Sequence, residues 1–213
     1  PIYGKFADRI GRKPVFLTGL IIFTIGSFLC GVSNNMTILI IFRALQGIGA
    51  GAIMPITFTM IADLFDYQER SKMLAMNNTA WGISALLGPL LGGYIVDKLS
   101  WHWVFFINVP IGILVILIIS FKYKEKRKKY IKRPLDIKGI LSLSGLLILV
   151  LTFFQTLSQA NVSSIQMLVI LFLIVMFVIA FIIFERQAND PIIPFTLFHN
   201  RLFSIQVTTA LLL

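Results

Sequence analysis

Long runs of apolar residues alternate with short polar connections along almost the whole chain. A helix that crosses a bilayer needs about 20 mostly apolar residues. The stretches that meet this condition are residues 15–32, 37–62, 73–96, 104–121, 140–157 and 165–184. A seventh begins near Leu202, and the residues before Gly4 are expected to end an earlier span. The runs are too long, and alternate too little, for barrel strands. The pattern therefore predicts an all-α membrane protein with about six complete transmembrane helices.

The basic residues are distributed unevenly over the connections between these runs. The first, third, fifth and seventh connections contain four, two, nine and two Lys or Arg residues, which is 17 of the 19 in the chain. The even-numbered connections contain only Lys98. Cytoplasmic loops of membrane proteins carry an excess of Lys and Arg. The odd-numbered connections are therefore predicted to be cytoplasmic, and the regular alternation supports the number of spans.

The composition agrees with a membrane protein and argues against other classes. Of the 213 residues, 57% are hydrophobic and 13% are charged, whereas soluble domains carry about 25% charged residues. The net charge of +10 does not indicate nucleic-acid binding, because the basic residues lie between apolar runs and not on a soluble surface. The chain begins without Met and ends inside an apolar run, so we interpret it as an internal fragment of a longer protein.

Arg43 is the basic residue that lies inside a predicted span. It is about seven residues from the outer end of its helix, which places it roughly 10 Å deep at 1.5 Å per residue. A charge at that depth is costly and usually faces a cavity or a partner. Gln46 shares its helix face. One interpretation is a cation that tunes a proton site or contacts substrate, and the alternative is a side chain that snorkels to the outer headgroups.

The first connection has the sequence GKFADRIGRKP, from Gly4 to Pro14. Its glycines permit tight backbone geometry, and Asp8 can form charge-assisted pairs with the neighbouring arginines. One interpretation is a cluster that forms in one conformation of the protein and breaks in another. The alternative is simple anchoring of the topology by positive charge.

Two further segments have open interpretations. The stretch GPLLGGYI contains Gly88, Pro89, Gly92 and Gly93, and its small-residue spacing is typical either of ordinary close helix packing or of a helix interface that can open and close. The connection between Lys122 and Lys138 holds nine basic residues. It anchors the topology, binds anionic lipid headgroups, or does both.

These segments together resemble the major facilitator superfamily. GKFADRIGRK fits that family's cytoplasmic signature between spans 2 and 3, at the positions Gly4, Asp8, Arg9, Gly11, Arg12 and Lys13. IIFRALQGIGAGAIMP resembles the span-4 signature, with Arg43 as its key residue, and GPLLGGYI resembles the span-5 antiporter signature, with Ser84 where the family often has Gly. WHWVFFINVPIG and PLDIKG are similar to segments of the fourteen-span bacterial drug:proton antiporters.

The resemblance implies a partial helical bundle of this superfamily and a division of the chain. Residues 1–14 would be the end of span 2 and the cytoplasmic loop, and residues 15–121 would be spans 3–6 of the N-terminal bundle. Residues 122–138 would be a basic linker, residues 139–184 an extra helix pair (spans 7 and 8), and residues 185–213 a loop and the start of span 9.

The resemblance also implies a function: a multi-pass transporter of the inner (cytoplasmic) membrane that exports lipophilic, often cationic drugs in exchange for protons by alternating access. It would act as a monomer and need no cofactor besides the proton gradient. Asp8, Arg9 and Arg12 would form a cytoplasmic latch, for which Asp63 is a candidate acceptor. Arg43 would assist proton coupling, and the antiporter glycines with Pro89 would bend their helix. The proton-carrying acidic residue is expected outside this segment.

Three other functions are weighed against this one. A related exporter of one physiological solute, such as a peptide, lipid or metabolite, fits the same residues. A sensor or scaffold on a transporter fold has no use for a costly intramembrane charge such as Arg43. An enzyme is disfavoured, because neither His102 nor His199 has a Cys, Asp or Glu at the spacing of a metal site or a catalytic triad.

Overall fold

The structure, a computed structural model of the chain, describes residues 2–125, 136–158 and 163–188, together with residues 191, 205 and 209. The backbone forms two compact units, made by residues 3–131 and 132–213. Most of the predicted basic linker and almost all of the predicted loop and span after residue 188 lie outside the described residues.

The described residues are helical, as the apolar runs predict. In the first unit the helices are α1 (Ile2–Ile10), α2 (Arg12–Gly31), α3 (Met36–Leu64), α4 (Tyr67–Lys98), α5 (Trp103–Phe106) and α6 (Asn108–Lys122). In the second unit they are α7 (Ile137–Leu157) and α8 (Ser164–Gln187). With α5 and α6 taken as one broken span, six helices in the described part are long and apolar enough to cross a membrane. The prediction of six complete spans is therefore confirmed.

The connections between the helices are shorter than the charge pattern suggests. The stretch from Gly4 to Pro14 is not an extended loop, because it is helical on both sides of Gly11. Asp63 likewise lies inside the last turn of α3, and only Phe65 and Asp66 separate α3 from α4. Charged residues at the membrane surface are compatible with helix, so polarity alone does not mark the end of a helix here.

The tightest packing in the first unit is between α2 and α3, where glycines bring the two backbones together. A Cβ atom added at Gly49 of α3 would lie 2.6 Å from the carbonyl oxygen of Gly19 and 2.8 Å from the Cα of Phe23, both on α2. At Gly26 of α2 an added Cβ would lie 2.7 Å from the Cα of Gln46. Small residues allow this close approach in a membrane, where van der Waals packing stabilises helix pairs.

A hydrophobic cluster lies where α1, α2, α3 and the end of α6 meet. Its buried members are Ala7, Val15, Phe16, Leu20, Ile56, Met60 and Tyr123. Further along α2, Thr24 packs directly against the backbone of α6 at Gly112, where a side chain would not fit. Helix α6 is therefore held against α2 at its end and along its length.

The remaining helices are more exposed within the described part of the chain. Helix α4 has no buried residue among its 32. In the second unit, α7 and α8 form an antiparallel pair in which the ring of Phe177 packs on Gly145. The side chain of Asp136 caps the start of α7, and that of Ser163 caps the start of α8. Such caps satisfy amides that have no partner within the helix.

The α2–α3 packing predicts different effects for two glycines that lie two positions apart on α3. Gly49→Ala in the full-length protein should destabilise it by about 1–3 kcal/mol, because the new methyl group meets backbone atoms that cannot move aside. Gly47→Ala is the control, since an added Cβ there meets no atom of the described chain within 4 Å. Thermal unfolding in detergent measures both. Equal melting temperatures for the two variants would contradict the close packing.

Candidate functional site

An ion pair joins the start of α2 to the end of α3. Nη1 of Arg12 donates a hydrogen bond of 2.6 Å to the carbonyl oxygen of Thr59 and forms an ion pair with the carboxylate of Asp63. The two side chains of the pair are 18% and 27% exposed, so water screens their attraction less than it screens a fully exposed pair. We call Arg12, Lys13, Thr59, Asp63 and Glu125 the ion-pair cluster.

The same helix start is also bound to the end of α6. The carboxylate of Glu125 accepts hydrogen bonds from the backbone amides of Arg12 at 2.6 Å and Lys13 at 3.3 Å. In return, Nζ of Lys13 donates to the carbonyl oxygens of Ser120 at 2.8 Å and Tyr123 at 2.7 Å. The amides at a helix start and the carbonyls at a helix end lack partners within their helices. Each of the two helices therefore supplies the missing partners of the other.

Gly11 makes this arrangement possible. Its φ of 106° lies in a region that residues with a side chain rarely adopt. Its amide still donates to the carbonyl oxygen of Ala7 at 3.0 Å, which closes α1. The chain therefore ends one helix and starts the next within one residue, and the first amides of α2 are presented to Glu125.

The structure brings together only some of the residues predicted for the latch. Arg12, Lys13 and Asp63 meet in the ion-pair cluster. Asp8 is exposed, and neither its side chain nor that of Arg9 forms an ion pair or hydrogen bond within residues 2–125. Gly4 lies within α1 next to open space.

A second cluster surrounds Arg43 near the opposite end of the same helix pair. Nη1 of Arg43 donates to Oε1 of Gln46 at 3.1 Å, and the Sγ of Cys30 lies 3.9 Å from the same oxygen. Gln46 is 4% exposed, and its backbone is pressed against Gly26 of α2. Arg43 and Gln46, which are predicted to share a helix face, are therefore joined by a direct hydrogen bond. Gln46 itself is fixed at the α2–α3 contact.

Phe105 of α5 supplies a contact to Arg43 that the sequence did not single out. The guanidinium carbon of Arg43 lies over the ring of Phe105, 4.9 Å from its centroid. A cation over an aromatic face is attracted by the ring quadrupole. We call Cys30, Arg43, Gln46 and Phe105 the Arg43 cluster. The motif WHWVFFINVPIG contains Phe105, but nothing in the sequence of the motif distinguishes Phe105 from Phe106.

The antiporter signature lies on one continuous helix. Gly88, Pro89, Gly92 and Gly93 all belong to α4, and an added Cβ at any of the three glycines would meet no atom of the described chain within 4 Å. The described residues therefore provide no packing partner for this small-residue face.

An apolar cleft lies between α3 and α4. Its volume is about 340 Å³, and its lining residues are Ala50, Ile53, Met54, Thr57, Asn77 and Trp81. Sites for small molecules commonly combine an apolar lining with a few polar groups and an aromatic ring. Within the described residues, no group of three or more His, Cys, Asp or Glu side chains could hold a metal ion.

Comparisons with known proteins agree with these motifs. The family model of the Major Facilitator Superfamily matches residues 1–202. The chain is 48% identical to Multidrug resistance protein 3 of Bacillus subtilis over 96% of this chain and 40% of that protein. It is 42% identical to the Multidrug transporter protein MdtP of the same organism, over 96% of this chain and 38% of that protein. It is 33% identical to the Multidrug export protein EmrB of Escherichia coli, over 96% of this chain and 40% of that protein. The chain therefore spans about 40% of the length of these relatives.

Proposed function

The chain belongs to the Major Facilitator Superfamily, and on that premise we propose that the whole protein is a transporter that exports lipophilic, drug-like compounds in exchange for protons. It is a multi-pass protein of the cell membrane, with six membrane-length helices in the described part of this chain. The observation that carries the proposal is the Arg43 cluster, in which a cation is built into a membrane helix and held by two partners.

The free energy needed to place an arginine inside a membrane argues for a functional role of Arg43. Transfer of a charged side chain into a bilayer is unfavourable by at least about 2.5 kcal/mol. Arg43 is exposed in the described part of the chain although Gln46 and Phe105 hold its guanidinium group. We propose that it faces the transport pathway and lowers the proton affinity of an acidic group from another part of the whole protein. Protonation of that group would then be coupled to export of the drug.

The relatives support the class of substrate. All three are named for multidrug resistance, transport or export. The cleft between α3 and α4 suits such compounds, because Ile53 and Met54 offer apolar surface and Trp81 offers an aromatic face for a lipophilic cation. Asn77 and Thr57 add hydrogen-bonding groups. Met side chains adapt to ligands of different shape, which is useful for a site of broad specificity.

The ion-pair cluster suits a conformational latch. In alternating access, interactions at one membrane surface form in one state and break in the other. The pair of Arg12 and Asp63 lies at the surface that the positive charges predict to be cytoplasmic, and we propose that it stabilises one of the two states. The cross-capping by Glu125 and Lys13 keeps α2 and α6 together while the latch acts. Asp8 and Arg9 would meet partners in other parts of the whole protein.

The basic segment between Lys122 and Lys138 completes the proposal. Residues 126–135 lie outside the described residues, and the sequence supports a cytoplasmic linker that binds anionic lipid headgroups. We propose a monomer without a cofactor or enzymatic activity, driven by the proton gradient.

The coupling role of Arg43 predicts the behaviour of two variants. Arg43→Ala should leave the full-length protein in the membrane but lower proton-driven export of a cationic dye from inside-out vesicles by about tenfold or more, equivalent to at least roughly 1.4 kcal/mol in the coupled step. Arg43→Lys, which keeps the charge but not the planar donor group, should retain more activity. Export by Arg43→Ala that still depends fully on the pH gradient would refute the coupling role. If the unaltered protein exports one physiological solute and none of the drug-like compounds, it is a dedicated exporter instead.

The latch predicts a difference between two neighbouring aspartates. Asp63→Asn removes the charge that pairs with Arg12 and should slow transport by about tenfold, as expected for a charge-assisted hydrogen bond of roughly 1.5 kcal/mol. Asp66→Asn is the matched control, because the side chain of Asp66 forms no hydrogen bond at the start of α4. Transport rates per amount of membrane protein give the comparison. Equal effects of the two changes would mean that only the total surface charge matters.

A further inference from the structure

The short helix α5 is an unusual element of the fold that the proposed function does not explain. It has only four residues, from Trp103 to Phe106, and Ile107 separates it from α6. Both of its phenylalanines point to other helices. The ring of Phe106 packs against Gly31 and lies 6.0 Å from the ring of Phe28, both on α2. Phe105 is 8% exposed and lies under the guanidinium group of Arg43.

The backbone of Phe105 is fixed by a chain of hydrogen bonds. Oγ of Ser27 on α2, which is fully buried, donates to the carbonyl oxygen of Phe105 at 2.9 Å. Nδ2 of Asn108 donates to Oγ of Ser27 at 3.2 Å and to the carbonyl oxygen of Val104 at 3.4 Å. The break between α5 and α6 is therefore tied to α2 through Ser27, which fixes the position of Phe105 along α2.

Arg43 thus has anchors on two different elements. Gln46 holds one nitrogen of its guanidinium group from within α3, and Phe105 lies against the group from α5. An arginine side chain has many rotamers, and one near a membrane surface can extend toward the headgroups. The hydrogen bond to Gln46 restrains one nitrogen of the guanidinium group. The ring of Phe105 restrains the position of the guanidinium plane.

We propose that Phe105 is a positioning residue for Arg43: its ring holds the guanidinium group in the membrane and keeps it from extending to the outer surface. The inference rests on the proposed coupling role of Arg43. In this proposal the motif WHWVFFINVPIG places one aromatic ring, that of Phe105, against Arg43. Ser27 and Asn108 fix the position of that ring along α2. Cation–π attraction between an arginine and an aromatic ring is of the size that changes a rotamer population by about 3- to 30-fold.

The test uses the full-length protein in inside-out vesicles, with a cationic dye as the probe. Two modes are measured: export driven by a pH gradient, and exchange of labelled for unlabelled dye without a gradient. Phe105→Leu keeps an apolar side chain but removes the ring. We expect gradient-driven export per amount of protein to fall by about 3- to 30-fold while exchange stays within about twofold of the wild type. Phe105→Tyr keeps the ring and should retain gradient-driven export.

The neighbouring residue provides the control for packing. Phe106→Leu removes a ring from the same short helix, and the contacts of that ring are with Gly31, Phe28 and Trp103. It should affect the two modes equally. Equal loss of both modes in Phe105→Leu would overturn the proposal in favour of a packing role, and so would a Phe105→Tyr variant as impaired as Phe105→Leu. If Phe105→Leu inserts poorly, Phe105→Met serves as the second ring-free variant.

The positioning role of Phe105 and the coupling role of Arg43 can be refuted separately. If Arg43→Ala lowers gradient-driven export by about tenfold or more and Phe105→Leu does not change it, the positioning role of Phe105 is wrong and the proposed function stands. If Arg43→Ala leaves gradient-driven export unchanged, the coupling role itself is wrong. In the double variant, Phe105→Leu should add no further loss to that of Arg43→Ala, and a full additional loss would overturn the link between the two residues.

Discussion

The close contact between the backbones of α2 and α3 is the constraint on which the rest of the first unit depends. Gly49 approaches the backbone around Gly19 and Phe23, and Gly26 approaches the backbone of Gln46. In lipid, such close packing replaces the hydrophobic effect as the main source of attraction between helices. Both clusters depend on it. The contact of Gly26 with Gln46 places the acceptor of Arg43, and the two helices carry Arg12 and Asp63 at their other ends.

Helix α6 is held against α2 in two ways. Thr24 packs against Gly112, and the reciprocal bonds of Lys13 and Glu125 join the helix ends. Helix α4 differs, because it has no buried residue and its glycine face meets open space in the described chain. A transporter needs both kinds of element: a rigid group that keeps its charges in place, and a helix whose surface is available to parts that move. The cleft between α3 and α4 lies where the two kinds meet.

The sequence predicted the helices well, because span length and loop charge are local properties. The family resemblance suggested Asp63 as a partner of an arginine, and helix spacing suggested Gln46 as a neighbour of Arg43. The sequence could not predict the contact of Arg43 with Phe105 or that of Arg12 with Glu125, because residues far apart in the chain make them and their geometry depends on how α5 and α6 pack. Glu125 carried a weak signal as the acidic residue within a run of basic ones. The sequence did not predict the helix that contains Asp8 and Arg9, because a charged stretch between two apolar runs is typical of a loop.

Because their backbones are in close contact, α2 and α3 should stay together as one rigid pair throughout the proposed transport cycle. Spin labels at the exposed positions Ile25 on α2 and Ile41 on α3, in the full-length protein, allow the distance between the two helices to be measured by electron–electron double resonance. Spectra are recorded with and without a cationic dye, at acidic and at neutral pH. A rigid pair should give one narrow distance distribution that is the same under all four conditions. A second distance population that appears with dye or with acid would show that the pair opens, and would contradict its rigidity.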